Sequence, residues 1–255
     1  MLIFKIFFII DNQVGFWYYY VRSINRKANA MIEKTIASKK CFIYPSENAS
    51  KCLLQPVDER DSELLDKEVE EIKSLTDKPF VFVAFLIEDW NKELSPWEAP
   101  AVFGKDNFGS GANKTLSYIT KSIIPFIKNE YSGITDFYLG GYSLAGLFSL
   151  WSGYQTDSFK GVAGVSPSVW FPEWDNFIKS NKIKATKTYL SLGEKEEKTR
   201  NKVMATVGDR IKLQYEELCL DYEYMFPDLI LEWNSGNHFA DPDKRTAKGF
   251  AWLIN

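Results

Sequence analysis

The sequence predicts an α/β fold in which a mostly parallel central sheet is covered by helices on both faces. Apolar strand-like segments alternate with amphipathic helix-like segments along the chain, an order that is typical of parallel strands joined by crossover helices. Residues 80–87 have no polar face, as a strand buried on both sides requires. The composition, 45% hydrophobic and 25% charged, suffices for one core with a solvated surface. We therefore expect a single domain over residues 1–255.

The amino terminus begins with an apolar segment, residues 2–10, that is too short to span a membrane. We interpret it as a first strand, followed by a turn at residues 11–13 and a returning strand at residues 14–21. Lys5 interrupts the apolar segment and no small-residue cleavage site follows it closely. A secreted protein is therefore less favoured than a cytoplasmic one, and we expect no membrane partner.

From residue 51 onward, predicted strands and helices alternate. Strands are expected from residue 52 to a turn at Pro56 and over residues 80–87, 134–139, 159–165, 186–193 and 228–233. Helices are expected over residues 62–75, 114–131, 144–151, 198–218 and 244–253. Pro125 lies within the second of these helices, where it would bend the helix or begin a new turn.

One stretch joins a predicted strand to a predicted helix through a serine held between small residues. Its sequence is Gly140-Gly141-Tyr142-Ser143-Leu144-Ala145-Gly146. Small residues before and after the serine relieve the crowding of a sharp turn. A strand, a serine and a helix in this order are typical of the nucleophile elbow of an α/β-hydrolase. Such a turn would expose the Ser143 hydroxyl and aim the Leu144 N–H at a developing oxyanion.

A base and an acid are expected later in the chain, because this fold orders its triad as serine, acid, histidine. His238, the only histidine, lies between the last predicted strand and the closing helix, where it can accept the serine proton and return it. Glu194, Glu196 and Glu197 follow the strand at 186–193. We favour Glu196, since a short turn after Gly193 precedes it, with Glu194 as the runner-up. Alternatively, these glutamates are a solvated charge run.

The second donor to the oxyanion is expected in the loop after the third strand of the fold. A backbone N–H near Val57 or Asp58 could complete the oxyanion hole, whereas Pro56 has no N–H to donate. The alternative is an ordinary connection between a strand and a helix, in which a polar side chain caps the helix.

Composition and charge argue against several other classes of function. The net charge is −3 and no basic block is present, so nucleic acid is not expected as a partner. Three cysteines lie far apart without metal-ligand spacing, which is typical of reduced thiols in a cytosolic protein. With a single histidine besides, we expect no metal and no cofactor. Apolar surface at a sheet edge could support a homodimer.

From about residue 51 to the carboxyl terminus, the chain resembles the bacterial putative-esterase family of α/β-hydrolases. This family includes esterase D-like, feruloyl esterase-like and enterochelin esterase-like enzymes. The resemblance rests mainly on residues 141–147, 166–170 and 236–239. It implies that Ser143 is the nucleophile, that His238 is the base, and that the loop carrying Ser168 and Trp170 walls the pocket. The segment before residue 51 does not match the family.

The chain also departs from the family pattern at three places. Ala145 stands where many members have glycine, and the acid would be a glutamate where aspartate is more common. The oxyanion loop lacks an evident His-Gly pair. These departures concern the acid and the second donor more than the nucleophile.

Residues 88–113 lie where the family has its variable substrate loop. Trp90 and Trp97 of this segment, facing Trp170, could line an apolar cleft that suits an acyl chain or a flat aryl acid. Alternatively, these aromatic side chains only pin the loop to the sheet, since burial is the usual fate of large aromatics.

The combined pattern predicts a serine esterase. It would cleave a carboxylic ester of a small or medium acyl or aryl substrate through an acyl-enzyme. An acyltransferase with the same triad is one alternative. An inactive hydrolase-fold binding protein is another, because a fold alone does not imply a function.

Overall fold

The structure, a computed structural model, describes residues 30–221 and 228–255. The strands expected at residues 2–10 and 14–21 lie outside the described residues. The described residues form one eight-stranded sheet with the order β1-β2-β4-β3-β5-β6-β7-β8. Its strands are β1 (Ile32–Ile36), β2 (Lys39–Tyr44), β3 (Lys51–Val57), β4 (Phe80–Leu86), β5 (Asp136–Tyr142), β6 (Gly161–Val165), β7 (Lys187–Gly193) and β8 (Leu229–Asn234).

Most neighbouring strands of this sheet are parallel. β1 and β2 form an antiparallel hairpin, and β2 pairs antiparallel with β4. All pairings from β4 through β3 to β8 are parallel. The carboxyl ends of β3 to β8 therefore meet at one edge of the sheet, and the predicted mostly parallel sheet is confirmed.

Helices cover both faces of the sheet, as predicted. They are α1 (Glu59–Ser62), α2 (Leu65–Leu75), α3 (Trp90–Leu94), α4 (Ala112–Tyr118), α5 (Ile124–Glu130), α6 (Leu144–Gln155), α7 (Trp174–Ser180), α8 (Val207–Asp221) and α9 (Pro242–Ile254). The buried residues of α2 and α9 form one core with side chains of the sheet. Those of α4 to α8 form a second core on the opposite face.

The β1–β2 hairpin was not predicted at these positions. β1 is exposed along most of its length, so it lacks the alternation of a half-buried strand. Its tight loop carries a positive φ of 52° at Ala37. Glycine, asparagine or aspartate usually marks such a position, so the alanine gave no turn signal.

The expected turn at Pro56 is wrong, because β3 continues to Val57. Pairing of β3 with β4 extends to Val57, whereas pairing with β5 ends at Leu54. Pro56 thus lies beyond the ladder with β5, where a residue without an N–H is tolerated. Because β3 and β5 no longer pair beyond Leu54, the end of β3 lies apart from the residues that follow β5.

The helix expected over residues 114–131 is interrupted. A π-helical turn, Ile119–Ile123, separates α4 from α5. The N–H of Ile124 bonds to the carbonyl of Ile119, and Pro125 follows at once. Because Pro125 has no N–H, the wider turn accommodates it without breaking the path of the chain.

The helix expected over residues 198–218 begins later. A 3₁₀ turn, Met204–Thr206, precedes α8. The Asn201 side-chain oxygen accepts the N–H groups of Val203 (3.0 Å) and Met204 (3.2 Å). Its amide donates to the Val102 carbonyl at 2.6 Å. Asn201 therefore ends the loop and satisfies the first helical donors, as a capping residue does.

Candidate active site

Ser143 lies between the last residue of β5 and the first residue of α6. Its backbone has φ 58° and ψ −118°, a conformation that non-glycine residues rarely adopt. Strain of this kind costs about 1–3 kcal/mol and clusters at functional sites. Three hydrogen bonds hold the turn: the Ser143 N–H donates to Val165 (3.0 Å), and its carbonyl accepts from Leu147 (3.0 Å) and Ser168 (3.0 Å).

The residues around this turn are small because the turn leaves no room. A Cβ on Gly141 would lie 2.6 Å from the Ala145 Cβ. A Cβ on Gly146 would lie 2.8 Å from the Gly141 carbonyl oxygen. The crowding predicted from the sequence is therefore present, and Ala145 fits opposite the glycine at 141.

The structure brings Ser143, His238 and Glu196 together at the carboxyl edge of the sheet. His238 Nε2 lies 3.0 Å from Ser143 Oγ. His238 Nδ1 lies 2.7 Å from Glu196 Oε2. His238 is on the loop between β8 and α9, and Glu196 follows β7. A proton could thus pass from the serine to an imidazole whose orientation is fixed by a carboxylate.

Glu196 is buried and densely hydrogen-bonded, with 8% of its surface exposed. Its Oε1 accepts the Ser166 hydroxyl and the Gly193 N–H, each at 2.7 Å. Burial alone would raise the pKa of Glu196, but the hydrogen bonds from His238, Ser166 and Gly193 outweigh it and lower the pKa below its ordinary value. Glu194 is exposed instead. Of the two candidate acids, only Glu196 therefore contacts His238.

Arg245, which sequence reasoning missed, anchors the acid and the histidine loop. It lies in the first turn of α9 with 3% of its surface exposed. Its Nη1 contacts Glu196 Oε1 at 3.1 Å and the Ser166 hydroxyl at 3.3 Å. Its Nη2 donates to the carbonyls of Ser235 (2.8 Å) and Asn237 (3.1 Å). The one available signal was a cation at a helix amino terminus, where the helix dipole disfavours it.

Tyr142 supports the same loop from the end of β5. Its hydroxyl donates to the His238 carbonyl at 2.7 Å and accepts from Arg245 at 3.2 Å. Burial raises the pKa of Tyr142 above its ordinary value, so the phenol keeps its proton and donates at neutral pH. The backbone of the histidine loop is thus held from two directions.

The three residues predicted for the oxyanion hole lie at the ends of β3 and β5. Leu144 is the first residue of α6, so no carbonyl of that helix accepts its N–H. Val57 is fully buried, and its carbonyl accepts the Ile87 N–H at 2.8 Å. Asp58 lines the same cavity as Ser143. Asp58 also caps α1, since its Oδ1 accepts the Asp61 N–H at 2.8 Å.

Two cavities flank His238. The first, of about 260 Å³, contains Ser143 and is lined by Trp90 among others. The second, of about 410 Å³, contains Glu196 and is lined by Trp170. Ser168 is buried with its hydroxyl 3.3 Å from Ser143 Oγ. Trp90 and Trp170 therefore lie in the cavities on the two sides of His238, and Ser168 lies against Ser143.

Two of the predicted pocket residues, Ser168 and Trp97, line neither of these cavities. Trp97 packs into the fold instead. Its indole N–H donates to the Pro172 carbonyl at 2.9 Å. Its ring packs against Phe171, Trp174 and Phe177 at centroid distances of 5.5–6.4 Å. Trp97 therefore follows the alternative expectation, that an aromatic side chain of residues 88–113 only pins this segment to the fold.

Within residues 30–221 and 228–255, no helix combines the length and apolar character needed to cross a membrane. In the same ranges, no three histidine, cysteine, aspartate or glutamate side chains converge as metal ligands would.

Comparisons with known proteins agree with the fold and identify the family. The model of the family described as "Putative esterase" matches residues 68–219. No curated protein sequence matches the chain. Among solved structures, the siderophore hydrolase EstA from Aspergillus nidulans is 17% identical, with a TM-score of 0.68 over 89% of this chain and 95% of its own. An IroE-like serine hydrolase from Shewanella oneidensis is 13% identical, with a TM-score of 0.71 over 87% of this chain and 79% of its own. At these identities the structural likeness establishes the shared fold.

Proposed function

Because the chain belongs to the putative esterase family, we propose that it is a serine hydrolase that cleaves a carboxylic ester through an acyl-enzyme. The observation that carries this proposal is the continuous contact from Ser143 Oγ through His238 to Glu196, with distances of 3.0 and 2.7 Å. Its substrate would be a small or medium acyl or aryl ester, since the two adjoining cavities are of about 260 and 410 Å³.

The first half of the reaction forms the acyl-enzyme. His238 Nε2 takes the proton of Ser143 Oγ as the oxygen attacks the ester carbonyl. The Leu144 N–H and a second N–H near Val57 or Asp58 stabilise the negative charge on the carbonyl oxygen. When the tetrahedral intermediate collapses, the ester C–O bond breaks and the alcohol leaves with the proton from His238.

The second half repeats these proton transfers with water. His238 removes a proton from water as its oxygen attacks the acyl carbonyl, and Ser143 leaves with that proton as the acid is released. In both halves the imidazole becomes a cation for part of the step. The lowered pKa of Glu196 keeps a negative charge 2.7 Å from Nδ1, which stabilises that cation and fixes the tautomer.

The experiment that tests this function is labelling with a fluorophosphonate probe. The wild type is expected to be labelled at Ser143, and Ser143→Ala and His238→Ala are expected to lose labelling. Ser149→Ala is the matched control, because Ser149 is a buried serine of α6, the helix that follows Ser143, and its hydroxyl donates to the Ala145 carbonyl at 2.8 Å. Absence of labelling in the folded wild type would favour an inactive binding protein. Product analysis with an added alcohol separates hydrolysis from acyl transfer.

A further inference from the structure

The cavity that contains Ser143 has an acidic wall. This wall lies between the end of β3 and the amino-terminal turns of α1, α2 and α9. No lysine or arginine among the described residues lines the cavity. The polar residues of the wall are Gln55, Asp58, Asp61, Glu68 and Asp243.

Two side chains of this acidic wall are deeply buried and incompletely hydrogen-bonded. Gln55 is 5% exposed and Glu68 is 4% exposed. Gln55 Nε2 donates to Glu68 Oε2 at 3.3 Å. The other oxygen of each side chain, Gln55 Oε1 and Glu68 Oε1, has no hydrogen-bond partner among the described residues. Buried acceptors rarely lack a hydrogen-bond partner, so we expect a donor that enters the cavity to bind both oxygens.

The charges of the acidic wall point to a cationic donor. Burial and the neighbouring Asp61 and Asp243 raise the pKa of Glu68 to about 8, despite the hydrogen bond from Gln55. Burial and Asp58 likewise raise the pKa of Asp61 to about 6. A positive charge in the cavity would lower the pKa of both carboxyl groups and stabilise their ionised forms.

The second cavity has the opposite character. Lys195, Lys198 and Arg200 line it on the other side of His238. A cationic group would be repelled there and attracted to the acidic wall. The two sides of the reacting serine and histidine therefore discriminate between charges.

From these observations, and resting on the proposed function, we propose that the acidic wall binds a primary ammonium group carried by the ester substrate. A primary ammonium has three N–H donors and no acceptor, which suits the free oxygens of Gln55 and Glu68 together with the carboxylate of Asp61. A quaternary ammonium has no N–H to donate. A divalent metal does not fit, because no three carboxylates in residues 30–221 and 228–255 converge as ligands.

Binding is tested first, on Ser143→Ala protein that cannot turn over. Calorimetry compares n-butylammonium with 1-butanol, a neutral molecule of similar shape. We expect n-butylammonium to bind at least about tenfold more tightly, because charge-assisted hydrogen bonds exceed neutral ones. Adding Asp61→Asn should remove most of this difference. Adding Glu63→Gln should preserve it, because Glu63 is an exposed acid nearby that does not line the cavity.

Specificity is tested second, on the wild-type enzyme. Ethyl 6-aminohexanoate and ethyl heptanoate differ in a terminal ammonium, and the ratio of their kcat/KM values is expected to favour the amine by about tenfold. Asp61→Asn and Glu68→Gln should lower the ratio, and Glu63→Gln should not. Two variants are used because Glu68 is fully enclosed and its replacement could affect folding.

The outcomes separate the two proposals. Equal affinities for n-butylammonium and 1-butanol, or an equal loss in the Glu63→Gln control, would overturn the ammonium site while leaving the serine hydrolase intact. Ammonium binding without fluorophosphonate labelling of the wild type would overturn the hydrolase and leave the site. A ratio of kcat/KM near one in an active enzyme would also reject the ammonium subsite.

Discussion

Replacing Arg245 by methionine is expected both to destabilise the protein and to loosen the loop that carries His238. Methionine has no charge and can fill much of the same space. The substitution leaves Glu196 without its buried cation and the carbonyls of Ser235 and Asn237 without their donor. Both partners of the Arg245–Glu196 pair have side chains that are 3% exposed. Removing one member of a buried ion pair costs about 3–5 kcal/mol, because the other charge stays buried with fewer partners to compensate it.

The free energy of unfolding, measured by urea denaturation, checks this magnitude. Arg210→Met is the matched control, because the Arg210 side chain is 27% exposed and lies 3.4 Å from Asp175. A partly exposed pair of this kind contributes about 0–1 kcal/mol. The rate of fluorophosphonate labelling should also fall, since the loop that carries His238 loses its anchor. This rate is measured at a temperature where Arg245→Met is folded. If Arg245→Met destabilises no more than Arg210→Met, Arg245 is not the anchor described above.

Three further predictions concern the acid and the elbow. Glu196→Gln should lower kcat by about 10³–10⁴, whereas Glu194→Gln should leave it within about twofold, as steady-state kinetics on an active ester would show. The pKa of Glu196 is lower in the folded protein than in the unfolded chain. Its ionised form therefore stabilises the fold fully above the unfolded pKa of about 4.3, and this stabilisation is lost as the pH falls through the pKa of the folded state. The difference in urea stability between wild type and Glu196→Gln should therefore shrink between pH 7 and pH 3; an unchanged difference contradicts the lowered pKa. Gly141→Ala should cost about 1–3 kcal/mol in thermal unfolding, because its Cβ would lie 2.6 Å from that of Ala145, and adding Ala145→Gly should recover part of the loss.

The sequence predicted the parts of the fold whose signals are local. Residues 80–87 are apolar throughout and residues 186–193 are rich in strand-favouring side chains, and the structure has strands at Phe80–Leu86 and Lys187–Gly193. Sequence reasoning missed features that depend on contacts between distant residues. The side chain of Asn201 caps the turn before α8 and donates to the carbonyl of Val102, 99 residues earlier in the chain. Nothing near Asn201 in the sequence indicates that partner.

The same distinction applies to the site. The elbow and His238 were found because small residues around Ser143 and a sole histidine are visible without coordinates. Arg245 was missed, since its partners come from β5 and from the loops after β6, β7 and β8. Glu196 and Glu194 differ by two positions and share one residue type, so only the turn after Gly193 separates the buried carboxylate from the exposed one.

The conformation of Ser143 depends on more than its own motif. Its N–H bonds to the last residue of β6, and its carbonyl bonds to Ser168 in the loop after β6. Both partners are available only because β6 is the parallel neighbour of β5 in register, with Tyr142 opposite Val165. On the other side of β5, pairing with β3 has already ended at Leu54. Because pairing with β6 extends to the residue before Ser143 and pairing with β3 ends earlier, the strained serine is held from the β6 side and the β3 side is open. The open side is where the cavity with the acidic wall lies, so the same strand register that fixes Ser143 also determines from which side this cavity adjoins it.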